Sequence, residues 1–279
     1  MRIRLWAKIF MLWIGTLLST ESFAQQSVDF DGIDDNSFLL EEGYSQDAGT
    51  VQNIVYNISY LSNPKDIYFY LSQEWGISER HQAGVTLPIT VFESSGDGIG
   101  DLFLDYRFQL LKSQKWVSIA PRFSLIVPTG NPANGLGSGT VGLQMNWAIS
   151  KLWNKHLATH WNVGGTFLPY AKDYITDSDY ERKFLANFNA GTSVAWMVTH
   201  RFNMVLEFVG NLGSEINNTR NINVFGQYIL NPGVSTAFDI ASVEIVPGIS
   251  APLTWTRDNF QAGIFFYLSV QNPFRKQHH

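Results

Sequence analysis

From Leu102 to Val127 polar and apolar positions alternate with a period of two. Leu102, Leu104, Tyr106, Phe108 and Leu110 fall on one side, with Asp101, Asp105, Arg107 and Gln109 on the other. After the polar turn from Lys112 to Lys115 the pattern resumes. Val117, Ile119, Phe123, Leu125 and Val127 now oppose Ser118, Ala120, Arg122 and Ser124. A period of two is that of a β-strand. Two neighbouring strands must share one wet side for their charges and one apolar side. A soluble sandwich points its apolar face inward, whereas charges lining a closed lumen inside an apolar outer band are the pattern of a transmembrane barrel.

The same alternation repeats from Thr50 to Val270 and predicts twelve antiparallel strands. Besides the pair above, they are expected over Thr50 to Leu61, Ile67 to Ile77, His81 to Phe92, Gly139 to Lys151, Leu157 to Tyr170 and Lys183 to Val198. The last four are expected over Phe202 to Asn211, Asn221 to Ile240, Ser242 to Ala251 and Phe260 to Val270. In the first, Ile54, Tyr56, Ile58 and Tyr60 read as outward and Asn53, Asn57 and Ser59 as inward; in the second, Tyr68, Tyr70, Ser72 and Glu74 read as inward. The sixth is the most regular, with Val141, Leu143, Met145, Trp147 and Ile149 out against Thr140, Gly142, Gln144, Asn146 and Ser150 in.

The connections agree with this reading, since such barrels pair short periplasmic turns with longer external loops. The odd-to-even links contain stretches such as ESSGDGIG, PTGNPANGLGSG, AKDYITDSDYER, GSEINNTR and PLTWTRDN, while the even-to-odd links are as short as SER, KSQK and THR. Trp75, Trp116, Trp153 and Trp196 all fall at the short-turn end, where an interfacial girdle belongs. An even strand count returns the chain to the side on which it started.

Targeting and charge sharpen the class. Arg2, Arg4 and Lys8, an apolar run from Ile9 to Leu18 and Ser22-Phe23-Ala24 have the layout of a cleaved signal peptide. The chain therefore divides into a leader at 1–24, an acidic segment at 25–49 and an outer-membrane barrel at 50–279. The middle segment, with Asp29, Asp31, Asp34, Asp35, Glu41, Glu42 and Asp47, is aperiodic. It reads either as a periplasmic leader or as a plug entering the lumen, with Phe38, Leu39 and Leu40 as its apolar contact. Losing three bases and one acid with the leader takes the formal charge from −5 to −7, which argues against nucleic acid as a partner. The absence of cysteine excludes disulfides, thiol catalysis and Cys-ligated metals.

Glu74, Asp101, Asp105, Arg107, Arg122, Glu207, Asp239 and Glu244 are expected to face the lumen as a polar network in which carboxylates and arginines satisfy one another. No catalytic, cofactor or metal site is expected. His81, His156, His160 and His200 have no evident serine partner with an orienting carboxylate, and no Gly-x-Ser-x-Gly elbow occurs. His156 and His160 on one strand would lie about 13 Å apart, too far for one ion. The glycines around Asp97 and Asp101 read as a sharp entry into the fourth strand rather than a calcium or phosphate loop.

Several motifs carry a family resemblance. Gln261, Gly263, Phe266 and Leu268 resemble the C-terminal signature strand by which the outer-membrane assembly machinery recognises its barrels. Glu74-Trp-Gly-Ile-Ser-Glu-Arg80 leading to Leu87-Pro88, then Gly98-Ile-Gly-Asp101 with Tyr106-Arg107, Pro128-Thr-Gly130 and Asn231-Pro-Gly233 resemble the meta-pathway phenol-degradation family of bacterial outer-membrane proteins. The resemblance covers roughly Ser37 to Leu268. It implies a barrel of about twelve strands in the outer membrane, surrounded by its lipid, and passage of small apolar or aromatic compounds. It implies no catalytic residues. The expected function is thus a passive channel, with a non-transporting barrel acting as envelope scaffold or partner-docking protein as the alternative.

Overall fold

The computed structural model describes residues 37–91, 97–113, 115–176, 179–216 and 222–273. The proposed leader at 1–24, residues 25–36 of the acidic stretch and the last six residues lie outside them. The described chain is one antiparallel sheet that closes on itself. Its staves are β1 (Thr50–Tyr60), β2 (Asn63–Ser78), β3 (His81–Val91), β4 (Leu102–Phe108), β5 (Ser118–Val127) and β6 (Gly142–Asn154). They continue as β7 (Leu157–Thr176), β8 (Asp179–Met197), β9 (Phe202–Ile216), β10 (Ile222–Thr236), β11 (Val243–Ser250, resumed at Leu253–Thr256) and β12 (Phe260–Pro273). Each pairs with its sequence neighbour, and β1 pairs with β12 from Thr50 opposite Pro273 to Tyr60 opposite Gly263. Closure leaves no free edge, which is what lets strands cross a membrane with every backbone group satisfied. The only helix among the described residues is a single 3-10 turn, Pro132–Asn134.

Burial is inverted relative to a soluble domain. Among the most buried residues are Ser150, His160, Ser193, Glu207 and Asn231, all at 0%, while Leu143, Val163, Phe208, Leu212 and Phe266 are each about half exposed. The apolar exposed band faces lipid and the polar face lines the interior. Trp116, Trp153 and Trp196 stand exposed at the short-turn end, as an interfacial girdle requires. A charge in the apolar band should be costly. Phe208→Lys, near the middle of β9, is expected to destabilise the barrel by about 2–4 kcal/mol, measured by reversible urea unfolding in lipid vesicles.

Two features differ from expectation. On β1 the facing is reversed: Ile54 and Tyr56 line the interior and Ile58 packs against the inner apolar cluster. Asn53, expected inward, instead takes the amide of Gln73 at 2.6 Å on the opposite face. The cause is register. Tyr56 lies directly across from Tyr70 on β2 and from Tyr267 on β12, and residues directly opposite point to the same side of a sheet. The external links are also shorter than expected. The described parts of AKDYITDSDYER, and Gly213 to Ile216 of GSEINNTR, continue the ladders of β7–β8 and β9–β10, and Leu253–Thr256 of PLTWTRDN forms the second piece of β11. Outside the membrane a hairpin can keep pairing with itself, so polarity alone does not end a strand.

Candidate functional site

The interior is occupied by the chain's own residues 37–49, which run along the lumen and grip its wall through backbone groups. At the deep end the Glu207 carboxylate, fully buried on β9, accepts the amides of Phe38 (3.0 Å), Leu39 (3.0 and 3.1 Å) and Leu40 (3.1 Å), together with the Asn231 side-chain amide at 2.7 Å. An ionised carboxylate is an acceptor only, so four donors converging on it suit it well. Further along, the Glu41 amide donates to Asn162 (3.0 Å), Gly43 to Ser150 Oγ (2.6 Å), Ser45 to Gln109 (2.7 Å) and Gln46 to Gln82 (2.8 Å). Asn162 and Gln109 return bonds to the carbonyls of Glu41 (2.7 Å) and Gly43 (2.9 Å).

Side chains seat the segment as well. Phe38 makes edge-on contacts with Phe265 and Tyr267, at ring-centroid distances of 5.9 and 6.0 Å. Its ring rests on glycine. A Cβ on Gly233 or Gly248 would come within 2.4 or 2.6 Å of it, so a side chain there would evict Phe38. Residues 37–49, the described part of the acidic segment at 25–49, thus lie against inward-facing residues of the barrel wall.

At mid-barrel Glu41 bridges two arginines. Its Oε1 meets Arg122 Nη2 at 2.6 Å and its Oε2 pairs with Arg107 Nη2. Arg107 also donates to the carbonyl of Tyr44 at 2.8 Å, and Arg122 reaches Asp105 at 3.3 Å and Gln144 at 3.0 Å. Asp105 in turn accepts from Ser124 (2.5 Å) and Thr86 (3.0 Å), and Glu74 accepts from Gln82 at 2.6 Å. Burial works against ionisation of Glu41, but Arg122 and Arg107 outweigh it and hold this carboxyl below the usual carboxylate range. A lowered value means the segment gains docking stability above the ordinary carboxylate pKa and loses it as pH falls through the lowered one. Acidification below the usual Glu range should therefore loosen the segment, and Glu41→Gln should flatten that dependence in protease-protection assays.

Glu74, Asp105, Arg107 and Arg122 thus come together, and Glu207 holds the deep end of the same segment. Glu244 lines the same cavity. Asp101 and Asp239 do not join them. Asp101 accepts from Gly130 N (3.1 Å) and from Ser138 N and Oγ (2.7 and 2.6 Å), tying down the loop after β5. A Cβ on Gly98 would lie 2.3 Å from Leu136 of that loop, so this glycine makes room for the loop's return rather than turning the strand. Asp239 sits exposed beyond β10 and faces the equally exposed Arg201 at 3.8 Å. The alternation places it correctly in phase, but the strand has ended at Thr236.

Ser150 and His160, for which no partnership is expected from the sequence, are bonded at 2.6 Å between Oγ and Nδ1. Both are fully buried beneath the inner segment, and Ser150 Oγ already takes the Gly43 amide. This geometry serves to anchor the segment. Among the described residues no group of three or more His, Asp or Glu side chains is placed to hold a metal ion.

Beside the segment lies a cavity of about 930 Å³ with aromatic and charged lining. Tyr56 stacks on Tyr70 at 4.7 Å and on the buried Phe265 at 5.5 Å, and Tyr267 and Phe103 also line the cavity. Glu41, Glu74, Arg107 and Arg122 line it as well. A smaller cavity of about 390 Å³, lined by Asn146, Asn187, Asn211 and Gln227, lies on the other side of the segment. Leu39, Leu40, Glu41, Arg122 and Gln144 line both and form the partition between them.

The sequence offered two traces of this arrangement. Glu207 is an inward acid whose cross-strand neighbours, Ser193 and Asn231, carry no positive charge, so its partner had to come from elsewhere. Inward glycines on adjacent strands, Gly233 and Gly248, left a hole of aromatic size.

No family model and no curated protein matches the chain. Its fold is similar to that of solved outer-membrane proteins. An outer-membrane channel from Pseudomonas putida F1 superposes with a TM-score of 0.63 at 14% identity, covering 86% of this chain and 99% of that one. The NanC porin superposes with a TM-score of 0.52 at 8% identity, covering 78% and 98% respectively. With its exposed apolar band, aromatic girdle and polar interior, the chain has the closed twelve-stranded fold of a bacterial outer-membrane β-barrel.

Proposed function

We propose that the protein is a passive outer-membrane channel for small apolar or aromatic compounds, with its own residues 37–49 as an internal plug. The observation that carries this reading is the aromatic-walled cavity between plug and barrel. Its volume of about 930 Å³ lies within the roughly 300–1,000 Å³ typical of small-molecule sites. Tyr56, Tyr70, Tyr267 and Phe103 give the cavity an aromatic lining for an aromatic solute, and twelve strands filled by inward side chains make too narrow a pore for a general water-filled diffusion channel. The motifs that resemble the phenol-degradation family, and the fold shared with a protein described as an outer-membrane channel, point the same way. Leu268 and Phe266, exposed on β12, remain the proposed contacts for assembly, together with Gln261 and Gly263.

The density of bonds holding the plug favours a second reading, a closed barrel that serves as a scaffold. Planar-bilayer conductance and liposome uptake of aromatic probes separate the two. The mature protein should show low activity that deletion of residues 25–49 raises severalfold. Silence in both forms would remove the channel reading and leave the scaffold.

A further inference from the structure

We infer that Arg107 and Arg122 form a carboxylate-binding site, held closed by Glu41, for small aromatic solutes that bear an acid group. The inference rests on the channel reading for its place in transport, but not for its binding chemistry.

Three observations converge on the site. First, the arginines present a ready carboxylate cradle, with each oxygen of Glu41 taking one guanidinium. Arginine suits this role because its planar fork matches carboxylate geometry and it never loses its charge. Second, the carboxylate now in the cradle comes from the plug and not from the barrel wall. When the plug withdraws, Arg107 loses Glu41 and the Tyr44 carbonyl together, while Arg122 keeps Asp105 and Gln144. A buried guanidinium stripped of its partners is costly, so the vacated cradle demands another anion. Third, the cavity that holds the cradle is lined by the Tyr56–Tyr70 stack and by Tyr267. A solute spanning the cavity from cradle to stack is anionic at one end and flat and apolar at the other.

Charge bookkeeping supports an exchange and not a simple addition. Glu74 also lines the cavity and Asp105 already pairs with Arg122, so adding an anion beside a docked Glu41 would be repelled. Replacing one carboxylate by another leaves the net charge of the cavity unchanged. A neutral aromatic could occupy the stack but would not compensate the arginines, and a small aliphatic acid would compensate the arginines but ignore the stack. Glu41 thus acts as a tethered stand-in for the acid group, and a solute that displaces it also loosens the plug.

The test is calorimetric titration of the detergent-purified mature protein with benzoate, with benzamide and acetate as controls. Glu41 on its short tether competes at an effective concentration on the order of millimolar, so Glu41→Ala should tighten benzoate binding about tenfold or more. Benzamide affinity should change less than about twofold and acetate should bind about tenfold more weakly than benzoate. Deleting residues 25–49 provides a second route that does not depend on the point variant. It should give at least the same gain for benzoate, and adding Arg122→Gln should abolish it. Equal benzoate affinity with and without Glu41, an equal gain for benzamide, or acetate binding as tightly as benzoate would each overturn the inference. A silent bilayer record would sink the channel reading without touching this result, and failed titrations would leave a positive conductance record intact.

Discussion

Glu207→Ala should free the plug while leaving the barrel closed. The substitution strands the amides of Phe38, Leu39 and Leu40 and the Asn231 side chain inside the lumen, with nothing to replace the lost carboxylate. Leaving buried amide donors without an acceptor typically costs about 1–3 kcal/mol each, so the undocked fraction should rise on the order of 10²–10³-fold. The strands themselves keep their ladders, because Glu207 bonds only Asn231 and the plug among the contacts described here. Limited proteolysis within 37–49 should pass from protected to rapid, and channel conductance should approach that of the 25–49 deletion. Glu207→Gln is the internal control. Oε1 alone accepts from all three plug amides, and a rotated Asn231 can offer its carbonyl to the new amide, so docking should largely survive. If Glu207→Ala leaves the segment as protected as in the wild type, the deep anchor has been assigned wrongly.

The second large effect is expected at Arg122, which joins two neighbouring strands of the barrel wall to the inner segment. It pairs with Asp105 of β4 and with Glu41 of the plug and donates to Gln144 of β6. Arg122→Ala leaves Asp105 without a cation and Glu41 with Arg107 alone, and should lower the unfolding free energy by about 3–5 kcal/mol in vesicle-based urea titrations. Arg122→Lys should recover only part of this, because a single ammonium cannot fork between Glu41 and Asp105. The cost should fall when Glu41 is also changed to Gln, since the Arg122–Glu41 attraction is then no longer there to lose. That non-additivity is the signature of a direct pair. A loss below about 1 kcal/mol for Arg122→Ala would place the pair among the exposed bridges that contribute little.

These two sites mark where reading the chain succeeds and where it stops. The alternation across Leu102 to Val127 is strict and charged, and a strand's period of two converts it directly into a facing. Asp105, Arg107 and Arg122 were therefore legible as lumen residues from the sequence alone. The same holds for Glu207, flanked by Leu206 and Phe208 in the lipid band. On β1 the rule misleads because Ile54, Tyr56 and Ile58 are apolar yet face inward. Only pairing with β2 and β12 reveals it, since a strand's facing is inherited from its partners and a one-residue slip inverts it. The aromatic wall that gives the cavity its chemistry is built on that inverted strand.

The acidic segment stays open between a leader and a plug in the sequence for a different reason. Residues 37–49 have no period, and their bonds join positions such as Leu39 and Glu207 that are 168 residues apart. Local pattern encodes backbone geometry; it does not encode which distant acceptor an irregular segment will find. The sequence by itself determined the class of the protein: twelve strands, a lipid-facing apolar band and a charged interior, because a membrane imposes those features residue by residue. Closure of the barrel decided everything that makes a site. It brought Arg107 and Arg122 to face Glu41, set the Tyr56–Tyr70 stack in the same cavity, and sealed Ser150 and His160 beneath the inner segment. Those contacts depend on the shape of the lumen as a whole, and that shape exists only once β1 has paired with β12.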